Sequence, residues 1–184
     1  MMSTAKPESN EIILLLQDIE SQSRKHAFAI PHQEETKLFW EGVLFTIMGR
    51  RLLTALSEVK EILNYPQYVT SVPGAYSWVR GVANVRGSLL PIFDLQEFLG
   101  GGQISIGRKT RVLVIEHEGL FVGLMVEDVF GMRHFNTELL IQEYDAEKTI
   151  SRYVTGAYDV DGDQCPILSM RLLAEDQEFQ VVAA

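Results

Sequence analysis

Between Val72 and Phe93 the chain reads VPGAYSWVRGVANVRGSLLPIF, and the glycines and prolines of this run leave it few backbone paths. Val72-Pro73-Gly74 is a turn signal, because proline fixes one dihedral and glycine supplies the positive φ of a type II turn. A phrase is then doubled. Val79-Arg80-Gly81-Val82 and Val85-Arg86-Gly87-Ser88 punctuate two short apolar stretches, each with a glycine that can turn or let another backbone come close. The second Arg-Gly reads as a hairpin apex, with Leu89, Leu90, Ile92 and Phe93 on the returning strand. Pro91 restricts that strand to an edge or a bulge, since proline cannot donate to a ladder.

Similar signals recur from Trp40 onward. Gly42 to Met48 is apolar, Gly49-Arg50 turns it and Arg51 to Ala55 returns, after which Val59 to Leu63 continues extended. His117-Glu118-Gly119 separates Val112–Glu116 from Leu120–Val126, and Asp161-Gly162 separates Tyr153–Val160 from Gln164–Leu168. Long crossover helices are missing between these strands, so the pattern predicts a mainly β barrel or sandwich rather than an α/β fold. Leu113, Ile115, Phe121, Leu124 and Met125 are apolar on both alternation phases, as strands buried on both sides require. Ahead of this domain, Ile12, Leu15, Leu16 and Ile19 fall at helical spacing behind Ser9 or Asn10 as a cap. The predicted organisation is therefore a helical extension over 1–35 and a β domain over 36–184. The apolar stripe of the extension either covers the domain's own surface or docks a partner, and packing is favoured.

No residue set carries catalysis. His26, His32, His117 and His134 fall in no ligand spacing, so no metal is expected. Cys165 stands alone between Gln164 and Pro166, without a base or cation, and reads as a buried inert thiol of a reducing compartment. Asp159-Val160-Asp161-Gly162-Asp163 has its glycine misplaced for a calcium loop, and a hairpin turn accounts for it. Gly100-Gly101-Gly102 lacks the Lys-Ser/Thr of a phosphate loop, and flexibility explains it. Glu34-Glu35 and Glu127-Asp128 have no general-acid setting. No cofactor is expected. The formal charge of −9, without a concentrated run of Lys and Arg, argues against nucleic-acid binding. From Glu138 to Ala184 ten acidic side chains face three basic ones, which gives either a solvated face or one that steers a partner. The polar N-terminus lacks a basic leader region, and its apolar run is too short to cross a bilayer, so the expected location is cytoplasmic.

One ordered string carries a resemblance. Pro73-Gly74, then Val79-x-Gly81-Val82-x-Asn84-Val85-Arg86-Gly87, then Leu90-Pro91-Ile92-x-Asp94-Leu95, closely resembles the signature of CheW-like domains, the coupling proteins of chemotaxis arrays. The likeness extends over about residues 40–175. Through Gly81–Gly87, Arg111–His117 and Val129–Phe135 the chain looks most like the branch of the family that serves type IV pilus chemosensory systems. The resemblance implies two small five-stranded SH3-like barrels sharing an apolar seam, and a non-enzymatic adaptor between a methyl-accepting chemoreceptor and a CheA-type histidine kinase. It implies recruitment to membrane receptor arrays and twitching motility as the output, with a flagellar array as the alternative. It also points to Val59, Glu61, Gly81, Asn84, Arg86 and Val112 as partner-binding positions. Glu61 is the expected carboxylate for the planar fork of Arg86. Their pairing either staples two strands or presents a binding surface; a staple alone is worth only about 0–1 kcal/mol, which favours presentation.

Overall fold

The computed structural model describes residues 39–181, so the expected N-terminal helical extension lies outside the described residues. The strands are β1 (Phe39–Ile47), β2 (Arg50–Ala55), β3 (Glu61–Asn64), β4 (Val79–Val85), β5 (Ser88–Asp94), β6 (Arg111–His117), β7 (Leu120–Val126), β8 (Asp128–Asn136), β9 (Val154–Val160) and β10 (Asp163–Leu168). Three short helices follow strands or end the domain: α1 (Leu95–Phe98), α2 (Met170–Ala174) and α3 (Gln177–Gln180). Four hairpins close through two-residue turns with both φ positive, at Met48-Gly49, Arg86-Gly87, Glu118-Gly119 and Asp161-Gly162. That is the twist that suits a hairpin. The first of these turns sits one residue earlier than its sequence suggests, because Met48 rather than Arg50 takes the left-handed position.

The strands form two five-stranded sheets, in the orders β8-β1-β2-β10-β9 and β3-β6-β7-β5-β4. Each sheet curls until a segment beyond its first strand bridges its last. Thr70 exchanges backbone hydrogen bonds with Val82 of β4 at 2.9 and 2.8 Å, and Ile141 does the same with Ala157 of β9, both at 2.9 Å. At these crossings glycine is required. A Cβ on Gly81 would stand 2.2 Å from the Thr70 carbonyl oxygen, and one on Gly156 would stand 2.9 Å from that of Ile141.

The two sheets are copies of one plan. Val79-x-Gly81-x3-Val85-x-Gly87-x3-Pro91-Ile92 reappears as Val154-x-Gly156-x3-Val160-x-Gly162-x3-Pro166-Ile167. Each copy is a hairpin that ends in a capped short helix, with Asp94 accepting from the Glu97 N–H and Ser169 from the Leu172 N–H. The copies have exchanged strands: β1-β2 stand in the sheet of β8–β10, whereas β3–β5 stand in the sheet of β6-β7. The chain thus crosses between sheets twice. The second crossing takes a single residue, Glu127, whose N–H donates to Thr46 at 3.0 Å while its carboxylate accepts from the Gly49 N–H at 3.0 Å.

Three apolar cores result. One curl encloses Leu90, Ile92, Val112, Val114 and Met125, and the other encloses Leu44, Leu53, Tyr158, Val160, Cys165 and Ile167. The third core lies between the sheets, where Val43, Phe45, Ile47 and Leu52 meet Phe93, Leu113, Ile115 and Leu124 under Leu173 and Phe179. Alternate residues of β6 and β7 therefore feed different cores, which is why both phases are apolar; Phe121, at the open end, is only partly buried. Each fully buried aliphatic or aromatic side chain contributes about 1.5–3 kcal/mol.

Pro91 departs from its expected place, because β5 has neighbours on both sides. The N–H and carbonyl of Val82, its partner residue, both point away to Thr70, so Val82 and Pro91 face each other without ladder bonds. Pairing of β5 with β7 begins only at Ile92, and no donor is missed. The Gly100–Gly102 loop is held rather than free. The Gln96 side chain donates to Gly102 O at 2.7 Å and accepts from the Met48 N–H at 2.7 Å, tying this loop to the β1-β2 turn.

Candidate functional site

Arg86 and Glu61 come together as their chemistry suggests. The Arg86 guanidinium Nη1 lies 2.7 Å from Glu61 Oε1, with 76% and 36% of the two side chains exposed. The curl of the sheet produces this contact, since β3 and β4 are its outermost strands and Arg86 stands in the turn that follows β4. Glu61 shares its strand face with Leu63, which packs against the enclosed core, so the pair sits at the rim of that core. Asn84 is exposed, and its Oδ1 accepts from the Gly87 N–H at 2.9 Å, fixing the turn that presents Arg86. Leu89 opposes Asn84 on β5 and is 71% exposed. Beside Glu61, Lys60 forms an ion pair with Glu116 and lies over the Phe121 ring.

The other three expected positions shape this surface from beneath. Val112 is 0% exposed and lies in the enclosed core, opposite Leu63. Gly81 is buried under Thr70, and Val59 packs against the core between the sheets. Neither Val112 nor Gly81 has a surface of its own to offer a partner. Glu58 holds the approach to Glu61, a contact between residues too distant in sequence for any local pattern to signal. Its carboxylate accepts from the Ser169 hydroxyl at 3.0 Å and from the Met170 N–H at 2.6 Å, anchoring the β2-β3 connection to α2.

The remaining polar groups have structural partners. His117 Nε2 lies 3.2 Å from Glu175 and His134 Nε2 lies 2.9 Å from Glu41, at separate places, while His26 and His32 lie outside the described residues. Arg51 reaches Asp161, Asp163 and the Val160 carbonyl, occupying the acidic hairpin with a cation of the chain's own. Cys165 is buried and burial pushes its thiol up, away from the reactive thiolate. Tyr153 donates its hydroxyl to Asp176 at 2.7 Å, and the rings of Trp78, Phe98 and Phe179 pack together around α3. Among the described residues no group of three or more His, Cys, Asp or Glu side chains could hold a metal, and no helix is long and apolar enough to cross a membrane.

Two curled five-stranded sheets thus share a core, and a Glu-Arg pair stands exposed at the rim of one of them. The chain belongs to the CheW-like family, whose model matches residues 41–178, and so to the non-enzymatic scaffolds of chemosensory systems. It is 39% identical to Protein PilI of Pseudomonas aeruginosa over 92% of this chain and 94% of that one. It is 27% identical to Protein FrzA of Myxococcus xanthus, over 67% of this chain and 77% of that one. The scaffolding protein TtCheW of Thermoanaerobacter tengcongensis superimposes with a TM-score of 0.68 at 19% identity, over 79% of this chain and 99% of that one.

Proposed function

We propose that the protein couples a methyl-accepting chemoreceptor to a CheA-type histidine kinase in a system that drives type IV pilus twitching. The observation that carries the pilus reading is the 39% identity to PilI along nearly the whole of both chains; a flagellar array is the alternative. In this reading the protein is cytoplasmic and reaches the membrane through receptor arrays. The Glu61-Arg86 rim, with Asn84 fixing its turn, contacts the receptor, whose hairpin tip lies along the groove between the sheets. A sheet edge pairs with the kinase's own CheW-like domain, and weak contacts add through multivalent assembly. Val59, Gly81 and Val112 serve binding by holding that rim in place.

Arginine is frequent among the few residues that dominate interfaces, and a fork already held by a carboxylate loses less entropy on contact than a free one. Arg86→Ala and Glu61→Arg are each expected to weaken receptor binding at least tenfold, by roughly 1.4 kcal/mol or more, with little change in kinase binding. Stability should stay within about 1 kcal/mol. Exchanging the charges in Arg86→Glu with Glu61→Arg restores the ion pair, but should not restore receptor binding. Titration of a receptor fragment and of the kinase regulatory domain against each folded variant reads this out. Unchanged receptor affinity in both single variants would leave the pair with a strand-stapling role only.

A further inference from the structure

A second polar surface lies at the other end of β3, and its chemistry is the reverse of the molecule's. The chain carries a net charge of −9, yet residues 98–115 contain three cations, Arg108, Lys109 and Arg111, and no carboxylate. Residues 62–77, of which 64–67 line the groove opposite them, contain no charged side chain at all. The two segments meet because Asn64 of β3 pairs with Arg111 of β6. Between them runs an open groove of about 470 Å³, lined by Tyr65, Pro66, Ile106, Gly107, Arg108 and Arg111 among others.

The cations are held for presentation. Residues 107–110 form a turn in which the Thr110 N–H donates to Gly107 O at 3.2 Å and the Gly107 N–H donates to Thr110 Oγ1 at 2.9 Å. Arg111 Nη1 donates to the carbonyls of Arg108 and Thr110 at 2.8 and 2.9 Å, which fixes its guanidinium without neutralising it. Elsewhere Arg50, Arg51, Arg86, Arg152 and Arg171 each have a carboxylate within ion-pair distance. Arg108 and Arg111 have none among the described residues, and Lys109 reaches Asp128 only at 3.6 Å with 81% of its side chain exposed. Ile106, half exposed, adds an apolar contact beside the charges.

We propose that this groove docks a carboxylate-rich extended segment of a partner protein, at a site separate from the Glu61-Arg86 rim. Planar guanidinium forks pair with carboxylates through two parallel hydrogen bonds, and uncharged walls add no repulsion. An overall acidic protein with an unneutralised cationic groove would also orient an acidic chain toward it before contact.

A fluorescein-labelled hexaglutamate peptide, followed by anisotropy against the full chain at 50 and 300 mM salt, tests the proposal. Saturable binding that weakens steeply with salt is expected, with at least a tenfold loss in Arg108→Ser with Arg111→Ser. The single variant Arg108→Ser, whose side chain supports no contact of the turn, should lose at least threefold and remove any doubt about folding. The double variant Arg133→Ser with Lys148→Ser makes the same change in net charge and should bind as the original does. Equal losses in the two double variants would overturn the proposal, as would no saturable binding at 50 mM salt. Tighter binding of a decameric poly-uridylate than of hexaglutamate would overturn it in favour of a nucleic acid. Self-association lost in Arg108→Ser without peptide binding would overturn it in favour of a second copy.

Discussion

Arg86 and Asp161 hold the same place in their hairpins and carry opposite charge. Both stand in the left-handed region, at φ 51° and 57°, and each is followed by a glycine at φ 88°. Asn84 and Asp159 cap the two turns alike, accepting from Gly87 and Gly162 at 2.9 Å. The turn is therefore indifferent to the charge at its apex, and what differs is the neighbour: Glu61 for Arg86 and Arg51 for Asp161. At Gly81 the backbone allows no such freedom. With φ at +136° and Thr70 pressed against it, Gly81→Ala must both strain its own backbone and push the crossing segment away. A loss of about 3 kcal/mol or more is expected, read from urea melts, whereas Gly87→Ala meets no neighbouring atom and should cost less. These glycines were legible in the sequence because the doubled Arg-Gly phrase has few backbone uses. That the second of them turns the chain was legible as well; that the first clears a crossing was not, since that depends on Thr70.

Among the elements, α1 shows how a buried charge can organise a loop. Asp94 is fully buried, and its two oxygens accept from the N–H groups of Glu97 at 3.1 Å and Ile104 at 2.9 Å, holding both ends of the glycine loop. Burial raises its carboxyl above the ordinary 3.8, a rise that the two backbone donors oppose without cancelling. Because the folded chain holds this proton more tightly than the unfolded one, the stabilisation is complete below the unfolded value. It is lost as pH rises through the folded value. Asp94→Ala leaves two buried donors unsatisfied, at about 1–3 kcal/mol each. The deficit of the variant against the original should be larger at pH 4 than at pH 7 in urea melts, and an equal or reversed difference would show that the donors outweigh burial. The short helices were not legible in advance, because four or five residues are too few to show a helical period. The strands of the four hairpins were, since a glycine turn marks each, whereas β8, which follows β7 after Glu127 alone, carries no such mark and was not legible as a strand. Their partners were not: alternation assigns a residue to a face but not a strand to a sheet.

For the whole molecule the exchange of strands decides what can fold alone. A fragment from Trp40 to Gly100 contains β1-β2 from one sheet and β3–β5 from the other, and completes neither. It would expose the apolar faces that meet in the core between the sheets. Such a fragment is expected to be unstable or aggregated, and a soluble one with a cooperative thermal melt would refute the single fused core. The repeat behind this arrangement is written in the sequence, in the spacing that links Val79, Gly81, Val85, Gly87, Pro91 and Ile92 to their later counterparts. It is thinly spread, because only the glycines and prolines that the backbone path needs and a few apolar positions match, while the residues between them differ.

The passage of β7 into β8 through Glu127 alone gives the protein a mechanical character. A lone residue bonded to Thr46 and Gly49 leaves little slack at this crossing, so a push on the Arg86 rim is expected to reach the far sheet. A domain joined in this way would pass displacement on to whatever it touches instead of absorbing it.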